Sequence, residues 1–417
     1  MVTRGHVTSC SSLIGPRIGS GGSTLHILRE LQLRHGAAQL ASWRVLLIHA
    51  GGYSKRLPSH SCSGKIFSPL PIETAGWGGG GGGGRGAWQM LDLKLALYLP
   101  FLGLMQPGLF VTASDDIEVY NMDPAPGPGA AVAGAAVTAL AHPSSLYIGT
   151  THGVYVLPPA AAAGDTAHAR PLQEVRPCLE VLQKPSVELM RERGAVTRAA
   201  DSGEETVYSD SAFWVGAASC AQLLQLYEEL GGQLGGELCI YGDFLTVLGS
   251  GRHKHHVSEL YRHAAPQPDP ITAVRRALHA RLGDTALAVL SLHQSKFYHL
   301  GTTQVSSQQW PALYWQPGPQ YNNVSTTQEY LHGLTQDRFL RQELNLASVV
   351  SSSLGAEAAS CVQGIVLSSV ISEAVTVPPD TIVEYSHVQS KVQSHHLSPG
   401  HLILTPDCRS GWAPGPS

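Results

Sequence analysis

Charge is sparse in this 417-residue chain: Asp, Glu, Lys and Arg make up 14% of it, and 27 basic residues fall short of 31 acidic ones for a net charge of −4. With no basic stripe, nucleic acid and acidic membrane surfaces are not expected as partners. No stretch of 18 or more apolar residues is present, and Met1-Val2-Thr3-Arg4-Gly5-His6 carries no apolar signal-peptide core, so neither a membrane span nor secretion is expected. The seven cysteines (Cys10, Cys62, Cys178, Cys220, Cys239, Cys361 and Cys408) are odd in number and never form a CxxC pair. That usage fits reduced thiols in the cytoplasm, suggests no zinc site, and leaves the sequon Asn323-Val324-Ser325 idle.

Glycine, by contrast, is plentiful at 45 residues, and two of its clusters carry chemistry. The first is Arg17-Ile18-Gly19-Ser20-Gly21-Gly22-Ser23-Thr24; the second is His49-Ala50-Gly51-Gly52-Tyr53-Ser54-Lys55-Arg56-Leu57-Pro58, with Gly64-Lys65 behind it. Glycines let backbone N–H groups approach a phosphate, Ser23 and Thr24 can cap a helix that follows, and Arg56 and Lys65 add positive charge where a pyrophosphate would leave. Either cluster alone reads equally as a tight turn. The two together, with spaced basic residues, read as a nucleoside triphosphate site.

Short apolar strands alternate with helical patterns, the mark of an open α/β sheet. Strands are expected at Val45–Ile48, Leu109–Thr112, Thr138–Ala141, Gly153–Leu157, Ala212–Val215 and Leu287–Leu292, and helices at Ser23–Arg34, Trp88–Leu99 and Ala221–Leu230. In such sheets ligands bind beyond the carboxyl ends of strands, which is where both glycine clusters should lie. Towards the end of the chain apolar residues recur every six positions, as Ile365, Ile371, Val377 and Val383, with Val370, Ile382 and Val388 in a second row. That period suggests turns of a β-helix, against the alternative of an irregular β segment.

The strings Gly15-Pro16-Arg17-Ile18-Gly19-Ser20-Gly21-Gly22, Leu46-Leu47-Ile48-His49-Ala50-Gly51-Gly52-Tyr53-Ser54, Gly149-Thr150-Thr151-His152-Gly153-Val154 and Ser295-Lys296-Phe297-Tyr298-His299-Leu300-Gly301-Thr302-Thr303 resemble the fucose-1-phosphate guanylyltransferase family. The resemblance runs from about Gly15 to about Glu384. It implies synthesis of GDP-L-fucose from GTP and L-fucose 1-phosphate by an open, nucleotidyltransferase-type (Rossmann-like) mixed sheet with an incomplete C-terminal β-helix. The expected organisation is an unrelated segment 1–14, a nucleotidyltransferase domain 15–345, a partial β-helix 346–390 and a tail 391–417. Two stretches depart from the family pattern: Glu73–Gly86, with its run Gly78–Gly84, and Val305–Thr327. A glycine run has maximal backbone entropy and nothing to bury, so a disordered surface loop is expected there. No phosphate loop of a kinase follows Ser295, which disfavours the fucokinase activity that bifunctional relatives add; a nucleotide-binding remnant without turnover is the other alternative.

In-line attack on the α-phosphorus of a nucleotide asks the protein to position two polyanions and neutralise charge, which calls for a divalent metal, here Mg²⁺, on carboxylates. By similarity to metal-dependent sugar nucleotidyltransferases, Asp115, with Asp116 behind it, and Asp243 in Tyr241-Gly242-Asp243-Phe244 are the expected ligands. Read from the residues alone, a helix cap is the alternative at both positions. Val181-Leu182-Gln183-Lys184-Pro185 resembles the strand-end Lys-Pro of that superfamily, which implies that Lys184 meets the sugar phosphate; Gln183 stands where others carry Glu. Asp210, beside Phe213 and Trp214, and His142 and His152 are lesser candidates for the sugar or nucleoside; core packing is the alternative for the two aromatics, and a satisfied loop histidine for His142 and His152.

Overall fold

The computed structural model describes residues 17–50, 64–73, 87–121, 136–159, 172–198, 203–249, 269–299, 334–350, 352–354, 362–371, 376–379, 381–384, 386–388 and 402–404. The chain divides into two compact units, interleaved along the sequence. One comprises Met1–His49, Leu99–Ala113 and Tyr120–Phe297; the other comprises Ala50–Tyr98, Ser114–Val119 and Tyr298–Ser417.

In the first unit nine strands among the described residues form one mixed sheet. Its path runs Arg44–His49, Gly108–Ala113, Glu205–Gly216, Val137–Ser145, Leu287–Leu292 and Gln173–Pro177, while Gly153–Val156, Glu180–Gln183 and Thr197–Arg198 join off that path. Arg44–His49 is parallel to Gly108–Ala113, and Val137–Ser145 is parallel to Leu287–Leu292; the remaining pairings are antiparallel. Gly108–Ala113 reads Gly-Leu-Phe-Val-Thr-Ala and is buried until its last residue, the continuous apolar run expected of a strand covered on both faces. Leu25, Leu28 and Leu31 of the first helix, Gly19–His35, join Leu223, Leu224 and Tyr227 of the helix Ala217–Glu229 in a core with Val111, Phe213 and Val289 from the sheet.

The expected strands are all present, and Leu287–Leu292 has the expected ends. Ala212–Val215 proves to be the end of a twelve-residue strand, Glu205–Gly216. Its middle carries Ser209, Asp210 and Ser211, polar residues that hide a strand from an apolar-run reading. The first helix begins at Gly19 instead of Ser23, so the glycines lie inside its opening turn. The expected helix Trp88–Leu99 runs Met90–Leu104, with Trp88 in the short strand Ala87–Gln89. No helix among the described residues is long and apolar enough to cross a membrane.

In the second unit, short strands pair in parallel in two stacks: Val349–Val350, Ile365–Leu367, Ile382–Glu384 and Leu402–Leu404 in one, and Ser353–Leu354, Val370–Ile371 and His387–Val388 in the other. Up to the last pairing the partners lie seventeen positions apart, as in Val349 with Val366, Ile365 with Ile382 and Val370 with His387, and the final step, Ile382 with Leu402, is twenty. Serines keep the same step: Ser369 N donates to Ser352 Oγ at 3.0 Å and Ser386 N to Ser369 Oγ at 3.0 Å. The buried interior row is Val366, Ile371, Val377 and Val383. Ile365 therefore leaves the row predicted for it and packs elsewhere, with Leu367 and Ile382, and Val370 of the second predicted row is 42% exposed. A strict six-residue step cannot hold when the register advances by seventeen. Of the stretches that depart from the family pattern, 74–86 and 305–327 lie outside the described residues.

Candidate functional site

The opening turn of the first helix is shaped by close backbone contact. Gly21 N donates to Leu238 O at 2.8 Å, Leu238 N donates to Ile18 O at 3.0 Å, and Ile240 N donates to Ser20 Oγ at 3.0 Å. Gly19 has φ 69°, and a Cβ there would come within 2.2 Å of Leu238 O; one on Gly21 would meet the Phe244 ring at 2.7 Å, and one on Gly22 the Leu234 side chain at 2.7 Å. Ser23 is half-buried on the same turn. Thr24 donates to Ser20 O at 2.9 Å and lies 2.9 Å from His49 Nε2, which sets this turn beside the carboxyl end of the strand Arg44–His49. Burial pulls the His49 imidazole down to about 4, so it is neutral near pH 7. Gly51, Gly52 and Arg56 lie outside the described residues.

In the same unit the sugar-side candidates come from the middle of Glu205–Gly216 and Val137–Ser145, the start of Gly153–Val156 and the end of Glu180–Gln183. Asp210 is buried at 5% exposure, and its Oδ1 accepts from Gly153 N at 2.9 Å. A Cβ on Gly153 would stand 2.3 Å from Asp210 Oδ2, so the approach requires glycine. Burial raises the Asp210 carboxyl above its ordinary value, and His152, the Gly153 amide and Lys184 act against that rise. Lys184, exposed at the end of Glu180–Gln183, has φ 47° and donates its backbone N–H to His152 O at 3.0 Å. A left-handed lysine is a conformation that surrounding contacts must impose. His152 Nδ1 lies 2.8 Å from Thr151 Oγ1, and its ring meets Phe297 edge-on at 5.2 Å. His142 is wholly buried, with Nδ1 2.8 Å from Ser295 Oγ and Nε2 3.0 Å from Ser211 Oγ, and stacks on the same Phe297 at 5.9 Å. Lys184, Asp210, His152 and His142 thus fall in one neighbourhood.

The carboxylates proposed for metal are each held by a cation. In the second unit, Lys65 Nζ lies 2.5 Å from Asp115 Oδ2, which brings a predicted cation and a predicted ligand together. Behind them Asp116 pairs with Lys94, both almost wholly buried, and Tyr98 Oη lies 3.3 Å from Lys94 Nζ. Burial raises the Asp116 carboxyl to about 7 against the pull of Lys94, and the buried Glu118 adds to the rise. In the first unit Asp243 is 3% exposed; its Oδ1 accepts from Arg275 Nε at 2.8 Å and its Oδ2 from Cys239 N at 2.7 Å. No group of three or more His, Cys, Asp or Glu among the described residues could hold a metal.

Arg275 and Lys94 take part in these contacts without having been singled out in the sequence. Gly153 stood in the string Gly149–Val154, but its bond to Asp210 was not foreseen. Arg275 and Lys94 sit in helices 32 and 22 positions from their partners, where spacing gives no signal.

The Fucose pyrophosphorylase domain family matches residues 37–308 and 312–398. The human fucose-1-phosphate guanylyltransferase is 35% identical over 417 residues, which cover 94% of this chain and 60% of that protein. The mouse protein of the same name is 35% identical over 399 residues, covering 91% of this chain and 59% of its own length. A bifunctional fucokinase/GDP-fucose pyrophosphorylase of Arabidopsis thaliana is 25% identical over 265 residues, 57% of this chain and 23% of that one. This chain therefore spans about three fifths of the length of the human and mouse relatives. With the family matched along most of its residues, it belongs to the fucose pyrophosphorylase domain family.

Proposed function

We propose that this chain transfers GMP from GTP to L-fucose 1-phosphate, giving GDP-L-fucose and pyrophosphate. The observation that carries the reading is the gathering of Lys184, His152 and Asp210 around the Gly153 amide, in a chain of this family. A cation beside a buried carboxylate and an imidazole meets the two needs of a sugar phosphate, charge for the phosphate and partners for the hydroxyls. In the reaction an oxygen of the sugar's phosphate attacks the α-phosphorus of GTP, the bond to the bridging oxygen breaks, and its electron pair leaves with pyrophosphate. Lys184 would hold the attacking phosphate, Asp210 would accept from a sugar hydroxyl, and His152 would donate beside it. His142, with both ring nitrogens engaged by serines, would support Phe297 from within. Arg56 and Lys65 would meet the departing pyrophosphate, and Gly19 to Thr24 with Gly51 and Gly52 would shape the nucleotide end.

Magnesium is the cofactor we propose. Asp115 is partly exposed, and its partner Lys65 is a flexible ammonium that could turn to phosphate oxygens and leave the carboxylate to the metal. Asp243 does not fit: both of its oxygens are taken, one of them by a guanidinium. When bound, the metal would neutralise charge on the phosphate oxygens. We also infer that the two parallel stacks wind as coils of a β-helix, a reading supported by the seventeen-residue register and the serine ladder. A cytoplasmic setting belongs to the same proposal, on the odd number of cysteines and the lack of a CxxC pair in the sequence.

The test is direct. Protein mixed with GTP, Mg²⁺ and L-fucose 1-phosphate should release pyrophosphate, and the same mixture with mannose 1-phosphate or with ATP should release far less. No release with any pair overturns the assignment. Lys184→Ala should raise KM for L-fucose 1-phosphate by about 10- to 150-fold, the scale of a charge-assisted phosphate contact, with GTP little changed. Lys65→Ala should instead weaken GTP and lower kcat, because charge on the leaving group grows in the transition state.

A further inference from the structure

We propose that Arg275 is a positioning residue for the nucleotide half of the site, acting through Asp243, and that Asp243 pins a turn and does not ligate the metal. The inference rests on the guanylyltransferase reading for its kinetic consequence and on geometry for the rest. Arg275 sits on the helix Asp269–Leu282, and its ion pair with Asp243 is buried, with side-chain exposures of 7% and 5%. A guanidinium cannot shed its proton, so a divalent cation on the same carboxylate would face a permanent positive neighbour at hydrogen-bond range. The other oxygen is also committed, to the amide of Cys239.

What the pair holds is the segment Leu238 to Phe244. Its short helix Ile240–Phe244 is capped twice at its N-terminus by side chains: Cys239 Sγ accepts from Gly242 N at 3.3 Å, and Asp243 reaches back to Cys239 N. On the far side of that segment lies the glycine signature. Gly21 N meets Leu238 O, Ile240 N meets Ser20 Oγ, and the Phe244 ring fills the space left by the missing Cβ of Gly21. Four residues along the first helix from Ser20, Thr24 contacts His49, from which the second glycine cluster continues in sequence. The order of dependence is Arg275, Asp243, the Leu238–Phe244 segment, then the opening turn of the first helix. Tyr241 and Gly242 extend the segment towards Phe213 and Gln183, and neither supplies a charge to replace the pair.

The test uses Arg275→Met, Asp243→Asn and their combination. Each single change leaves one member buried without its partner, so each should lower the melting temperature, and the double variant should recover most of the loss. Hydrogen exchange at the amides of Gly21 and Ile240 should quicken at least tenfold in both single variants. In the pyrophosphate assay both should raise KM for GTP about tenfold and leave KM for L-fucose 1-phosphate unchanged. The Mg²⁺ concentration for half-maximal activity should be the native one in Asp243→Asn. Arg275→Lys, which keeps the charge, should recover part of the exchange protection. A tenfold or greater rise in the Mg²⁺ requirement of Asp243→Asn, absent from Arg275→Met, overturns the proposal. If the native chain releases no pyrophosphate, the functional reading falls by itself; the pin then stands or falls on exchange, and native protection at Gly21 in Arg275→Met overturns it.

Discussion

At the scale of single residues, the tightest constraint lies at Gly153. Its amide binds Asp210 Oδ1, and an added methyl carbon would lie 2.3 Å from Oδ2, so Gly153→Ala must push the carboxylate away from the strand. The expected outcome is a loss of about 1–3 kcal/mol in stability, the range for a disturbed buried hydrogen bond, with KM for L-fucose 1-phosphate raised and KM for GTP unchanged. Thermal melts and substrate titrations check both halves; a native melt with native kinetics would remove Gly153 from the site. The place of Lys184 just past the strand Glu180–Gln183 was legible beforehand because a strand-end Lys-Pro is local in sequence. The tie between Gly153 and Asp210 was not, since it spans 57 positions and depends on which strands pair. Asp243 illustrates the opposite case, a carboxylate whose type suggested a metal while its neighbours, invisible in sequence, commit it to a guanidinium and an amide.

Among elements, the strands were read well and the helix starts less so. Apolar runs such as Leu287–Leu292 announce a strand without reference to any partner. A helix start depends on what receives it: the first helix takes Gly19, Gly21 and Gly22 into its opening turn because the Leu238 segment comes too close for side chains. The periodicity of the C-terminal stacks was legible as repetition, while its step of seventeen emerges only from the pairing. The serine ladder makes that step testable. Ser369 Oγ accepts from Ser386 N at 3.0 Å and donates to Leu367 O at 2.7 Å, inside a buried corner. Ser369→Ala leaves both groups without that partner and should cost about 1–3 kcal/mol. Ser352→Ala, at a half-buried corner where water can substitute, should cost less. Equal losses in the two variants would deny the ladder a load that depends on burial.

For the molecule as a whole, pH should act on the two units with opposite signs. His49, in the first unit, has a folded-state value of about 4 against an ordinary 6.5, because burial disfavours the imidazolium. The unfolded chain therefore binds the extra proton first, and the contribution of the neutral His49 to stability is lost as pH falls from about 6.5 to about 4. Asp116, in the second unit, has a folded-state value of about 7 against 3.8, because burial outweighs the attraction of Lys94. Its contribution is full below about pH 4 and is lost as pH rises towards 7. A single melting curve would blend the two trends, so the variants must separate them. Asn resembles the protonated carboxyl, so Asp116→Asn should remove the decline towards neutral pH, while His49→Asn should remove the acid-side loss. Each should shift the relevant melting transition by roughly 5 °C at the pH where its effect is largest, measured with chelator present so that no metal contributes. If Asp116→Asn melts with the native pH dependence between pH 4 and 7, the buried carboxyl is ionised throughout that range and Lys94 outweighs burial.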